Sequence, residues 1–192
     1  MTAGVTCVLA RDNHRAMERH ELIPHPDHPP FGATGVTVTL RQERDRVSLA
    51  YCVAGAGALV MPPLAPPART DELWRTTCFE LFARADDGGD AYVEFNFAPS
   101  TRWAAYAFDG CRAGMRALAL AVPPAIERRD AGVSVVLPRV ALPSADPLIA
   151  LTAVIEEEGG RRSFWSLAHP AGAPDFHHRD CFVARLPAPE TA

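Results

Sequence analysis

Residues 75–97 read "RTTCFELFARADDGGDAYVEFNF". Apolar and polar positions alternate on both sides of an acid- and glycine-rich turn, which is the period of a β-hairpin and not of a helix. With 75–84 as one strand, Phe79, Leu81 and Ala83 fall on one face and Thr76, Cys78 and Glu80 on the other. The following strand repeats the arrangement, with Val93, Phe95 and Phe97 on one side and Tyr92, Glu94 and Asn96 on the other. Joined through "DDGGD", the pair offers one oily face and one face of carboxyls, an amide, hydroxyls and an aromatic ring.

Other segments follow the same period. "VTVTL" (36–40), "VSLAYCV" (47–53) and "VSVVL" (133–137) each put their large apolar residues on one side. "LIALTAVIEEE" (148–158) and "RSFWSLA" (162–168) flank Gly159 and Gly160 as a hairpin, and 148–155 is apolar on nearly both faces, as a central strand should be. Many short strands between Pro and Gly turns, with no long 3.6-residue stripe, predict an all-β antiparallel β-sandwich in one domain. That domain spans 20–188, after a loosely attached extension over 1–19 with Met17 as an alternative start, and before a tail at 189–192. "CRAGMRALALAV" (111–122) fits a short helix or a strand.

Composition narrows the function. The chain has 192 residues, 48% hydrophobic and 22% charged, which is ordinary globular usage and excludes wholesale disorder. A formal net charge of -4 gives no electrostatic reason to expect nucleic acid or an anionic membrane as partner. All 19 basic residues are arginines, so a Schiff-base lysine and a phosphate-loop lysine are both excluded. No apolar run is long enough for a membrane span, and no export signal stands at the start, which predicts a cytoplasmic protein. The five cysteines are scattered without a C-x-x-C pair and read as small buried thiols.

The polar face of the 75–97 hairpin is where chemistry concentrates. Trp74 precedes it and Trp103 follows the next turn, and flat rings beside Glu, Asn and Arg are the groups that bind sugars. The plain alternative is a solvated sheet face with tryptophans in the core. Glu80 and Glu94 also have the types and the neighbouring strands that a glycosidase pair requires. Near the end of the chain, "APDFHHRDCF" (173–182) carries His177, His178, Asp180 and Cys181, which are zinc or iron ligand types. Adjacent residues on a strand point to opposite faces, so a metal there would need His169 or the loop histidines His20, His25 and His28. The simpler reading is that "HHRD" leads into a last strand "CFVARL" with Phe182, Ala184 and Leu186 facing the core.

Four blocks in order, "LIPHPDHPP", "RTDELWRTTCFELF", "YVEFNFAPSTRWAAYAFDGCR" and "FWSLAHPAGAPDFHHRDCF", make residues 20–187 resemble the bacterial DOMON-like group, which is related to family 9 carbohydrate-binding modules. The resemblance implies a non-catalytic module for a sugar or sugar-containing metabolite, working alone or beside a partner enzyme. It implies that Trp74 forms one wall of a clamp, that Glu80 bonds hydroxyls and that Arg102 helps hold the sugar. Asp175 and His178 stand where the family has an amide and a second tryptophan, with Glu94, Asn96, Trp103 and His177 near the site. Six residues of straight strand span about 20 Å, so Trp74 must curl over from a loop to share a ligand with Glu80. The wider superfamily also implies a haem-binding alternative, with His178 and Met115 as axial ligands and Met61 equally placed by sequence.

Overall fold

The computed structural model describes residues 17–186. The expected extension at 1–16 and the tail beyond 186 lie outside the described residues. Twelve strands form one continuous, curled antiparallel sheet. They are β1 (Met17–Pro24), β2 (Gly35–Gln42), β3 (Arg46–Ala54), β4 (Cys78–Arg84), β5 (Tyr92–Phe97), β6 (Trp103–Phe108), β7 (Arg116–Ala117), β8 (Ala125–Arg129), β9 (Gly132–Pro138), β10 (Leu148–Glu157), β11 (Arg161–Ser166) and β12 (Ala184–Arg185). Across the sheet the order is β7-β6-β5-β4-β10-β11-β1-β2-β3-β9-β8, with β12 continuing the edge of β10 beyond the reach of β11.

β1 joins the two halves by changing partners along its length. Met17–Leu22 pairs with β2, and Ile23 and Pro24 pair with β11. The sheet thereby closes over a common core. Val36, Val38, Leu40, Leu49, Tyr51, Val135 and Leu137 from one half share that core with Phe79, Leu81, Phe95, Phe97, Ile149, Leu151 and Ile155 from the other. Each set is the inward member of a period-two pattern, and burying such side chains stabilises each by about 1.5–3 kcal/mol. Tyr51, fully buried, donates its hydroxyl to the Glu80 carbonyl at 2.7 Å and ties the two halves at the centre. Among the described residues no helix is long and apolar enough to cross a membrane.

Three sequence readings are corrected, and one left open between helix and strand is resolved. Residues 17–19 belong to β1, because Met17, Glu18 and Arg19 pair with Arg41, Leu40 and Thr39. The strand expected from 75 begins at Cys78, because Leu73–Arg75 is a single 3-10 turn and Thr76 follows it as a bend. The last strand shrinks to two residues behind a 3-10 turn at Arg179–Cys181, although Phe182 and Leu186 are buried as expected. The "CRAGMRALALAV" segment contributes only the two-residue β7. Of the cysteines, Cys78 and Cys181 are buried, whereas Cys111 is exposed.

Candidate functional site

The outer face of β4, β5, β6, β10 and β11 is covered by three loops instead of by solvent. Its inner margin is a second apolar cluster made by Phe82, Tyr92, Ala104, Tyr106, Phe108, Ala150 and Val154 of the strands, with Phe176, Cys181 and Phe182 of the 169–183 loop. Between the sheet face and the loops opens a cleft of about 840 Å³, within the size range of small-molecule sites. Its floor includes Glu80, Phe82, Glu94, Tyr106, Phe108 and Val154, and its walls include Trp74, Arg112, Met115, Phe164, Phe176 and His177.

The floor follows from strand register. Glu80 lies opposite Asn96, and Phe82 lies opposite Glu94, so the two acids are diagonal neighbours on one face of an antiparallel pair. Glu80 is 3% exposed and Glu94 6%, yet both line the cleft. Asn96 Nδ2 donates to Glu94 Oε1 at 2.6 Å, and the Thr152 hydroxyl on β10 donates to Glu80 Oε2 at 2.8 Å. Among the described residues, no donor reaches Glu80 Oε1 or Glu94 Oε2. Burial, reinforced by the neighbouring Glu94, pushes the Glu80 carboxyl up to about 8. Burial likewise pushes Glu94 up to about 7, against the opposing pull of the Asn96 amide and of Arg112 at longer range.

The walls come from turns with constrained backbones. Trp74 sits on the 3-10 turn after Glu72, whose φ is +61°, and is 45% exposed with the Arg75 guanidinium against its ring. It therefore curls over from a loop, and it lines the same cleft as Glu80. The turn between β6 and β7 closes through Ala113 N–H to the Gly110 carbonyl at 3.0 Å, with Arg112 at φ +53° and Gly114 at φ +64°. This left-handed pair of residues is what presents Arg112 and Met115 at the rim. Arg112 grips Asp175 Oδ1 through Nε at 3.1 Å and Nη2 at 2.8 Å, bridging two walls.

His177 completes the enclosure. The Tyr92 hydroxyl accepts the Arg112 N–H at 3.2 Å and shares a hydrogen bond with His177 Nδ1 at 2.8 Å. Burial and the Arg112 charge hold His177 down at about 4, and it is neutral at physiological pH. On the opposite wall the Tyr106 hydroxyl donates to Asp71 at 2.6 Å, and burial raises that phenol well above its usual range.

Of the residues singled out from sequence, Trp74, Glu80, Glu94 and His177 line the cleft, and Asn96 stands behind Glu94. Four do not line it. Arg102 points to the Thr70 hydroxyl at 3.5 Å, and the arginines lining the cleft are Arg69, Arg112 and Arg116. Trp103 alternates with Ala104 onto the core side, where the Arg69 guanidinium lies 5.7 Å from its ring. Asp175 is occupied by Arg112. His178, at the end of the turn that carries His177, does not line the cleft and accepts the Asp180 N–H at the start of the 3-10 turn. The expected haem pair is therefore not brought to one cavity, since Met115 lines the cleft and His178 does not. No group of three or more His, Cys, Asp or Glu side chains among the described residues could hold a metal. His169 Nε2 donates to the Ile23 carbonyl and His25 Nδ1 accepts the Asp27 N–H, so backbone groups occupy those rings.

Sequence reasoning missed Phe82, Tyr106 and Phe108, although period-two counting from Glu80 and from Trp103 puts them on the right faces. Nothing in the sequence shows that Thr152 reaches Glu80, which depends on β10 pairing with β4.

No family model matches the chain, and no curated protein matches it. Among solved structures it is similar to a proposed carbohydrate-binding protein from Bacteroides uniformis, at 15% identity and a TM-score of 0.60, covering 88% of this chain and 84% of that one. At that identity the likeness establishes a shared fold.

Proposed function

We propose that this protein is a non-catalytic ligand-binding module whose cleft takes a carbohydrate or a sugar-containing metabolite. One observation carries the reading: a half-exposed indole, Trp74, and two buried carboxyls, Glu80 and Glu94, line one cleft of suitable size. An aromatic face covers the apolar side of a pyranose, while carboxyl oxygens accept from its hydroxyls. Phe176 and Phe164 line the same cleft and add aromatic surface where the family resemblance placed His178. The shared fold with the Bacteroides protein supports the same reading.

A glycan array followed by calorimetry tests the proposal. Trp74→Ala should weaken binding by about tenfold or more, while Arg102→Ala and His178→Ala should change it by less than about twofold. If Trp74→Ala leaves every ligand response unchanged, the reading is wrong.

A further inference from the structure

The floor of the cleft is electrically unbalanced. Two carboxyls, each more than nine-tenths buried, stand side by side, and among the described residues the only donors that reach them are the neutral Asn96 amide and Thr152 hydroxyl. The arginines around the cleft are committed elsewhere. Arg69 donates to the carbonyls of Leu118 and Ala105 and lies against the Trp103 and Tyr106 rings. Arg112 is forked onto Asp175, and Arg116 onto Asp109 and the Gly114 carbonyl. Asp71 and Glu72 add further acid at the rim, bonded to Tyr106 and Arg75. Trp74, Phe82, Tyr106, Phe108, Phe164 and Phe176 make much of the remaining lining aromatic, and ring faces attract cations as well as apolar surface.

We propose that the cleft recognises a protonated amine, and specifically an amino sugar whose ammonium group sits against Glu80 Oε1 and Glu94 Oε2. The inference rests on the sugar reading above and names the class of sugar. A neutral sugar offers hydroxyl donors but brings no positive charge, so it leaves the two adjacent buried acids dependent on retained protons. A compact ammonium has three donors, enough for both free oxygens at once, and supplies the missing charge. In the empty cleft, protons retained by the two acids stand in for that charge, so the amine displaces them as it binds. Asn96 and Thr152 each fix the other oxygen of their acid, which holds the free oxygens in place before the ligand arrives.

Calorimetry on the intact protein at about pH 7, with glucosamine, N-acetylglucosamine, glucose and choline as probes, separates the possibilities. Glucosamine should bind about tenfold or more tighter than the acetylated and neutral sugars, and Glu80→Gln and Glu94→Gln should each abolish that preference while keeping a cooperative melting transition. Glucose or N-acetylglucosamine binding as tightly as glucosamine overturns the amine inference and leaves the sugar reading intact. Choline binding tightly with no sugar binding overturns the sugar reading and the amino-sugar assignment together. Retention of the glucosamine preference in both Gln variants also overturns the inference, because the preference then arises elsewhere.

Discussion

The molecule buries acidic side chains in two regions, and it treats them in opposite ways. Glu157, 1% exposed at the end of β10, accepts three backbone N–H groups: Phe31 on Oε2 at 2.6 Å, and Gly32 and Ala33 on Oε1 at 2.6 and 2.8 Å. Burial pushes this carboxyl upward, but the three N–H donors and nearby Arg161 outweigh it, so Glu157 stays below the usual carboxylate range. Glu80 and Glu94 are as deeply buried, yet each has a single neutral donor and the other acid as neighbour. The difference shows that burial alone does not mark a functional acid. A buried acid whose oxygens are all filled by the chain is a structural clamp, here on the loop between β1 and β2. One whose remaining oxygen faces a cavity is prepared for something from outside.

The comparison is broken most directly at the clamp. Glu157→Gln puts an amide N–H against backbone donors and should destabilise the fold by about 3 kcal/mol in urea denaturation, whereas Glu80→Gln should not. Equal losses from both variants would remove the distinction. The two tryptophans give a second, smaller contrast. Trp103→Ala opens the core edge and releases Arg69, with an expected loss of about 2 kcal/mol, while Trp74→Ala should stay within about 0.5 kcal/mol of the parent.

The pH dependence sharpens the contrast by sign. Folding raises Glu80 and Glu94 above the unfolded carboxylate value, so their contribution is complete below about pH 4.5 and is lost as pH rises through about 7 and 8. Folding lowers Glu157, so its contribution is present above that value and is lost as pH falls through the folded value. Equilibrium unfolding of the ligand-free protein should therefore show stability falling between about pH 5 and pH 8.5, and Glu80→Gln should flatten that slope. The other charged or titratable side chains facing the cleft are Arg69, Asp71, Glu72, Tyr106, Arg112, Arg116 and His177. A profile unchanged in Glu80→Gln would assign the slope to one of them or to the rest of the chain.

The strand faces were legible because period two is a local property. Phe79, Leu81, Phe95 and Phe97 are buried in the core, and Glu80, Glu94 and Asn96 share the opposite face, as the 75–97 pattern requires. The depth of those acids was not legible, since it comes from loops 69–77, 109–116 and 169–183 folding over the sheet. Trp103 was misplaced because the alternation was not carried one residue further along β6. Arg102 was expected from the family resemblance for its position after the strand, but a left-handed turn ten residues later places Arg112 in the cleft lining instead. The clamp at Glu157 left no mark in "VIEEEGG", where three acids in a row look equally solvated.

β10 links the two regions, carrying Thr152 under the cleft and Glu157 at the clamp. It lies between β4 on one side and β11 and β12 on the other, so its amide protons reach solvent only when the whole sheet opens. The loops that carry Trp74, Arg112 and His177 have fewer backbone bonds and open locally. Bound ligand should therefore slow hydrogen exchange in the walls and scarcely alter it in the floor. Binding orders little of the floor, and the entropic penalty of forming the complex is confined to the rim.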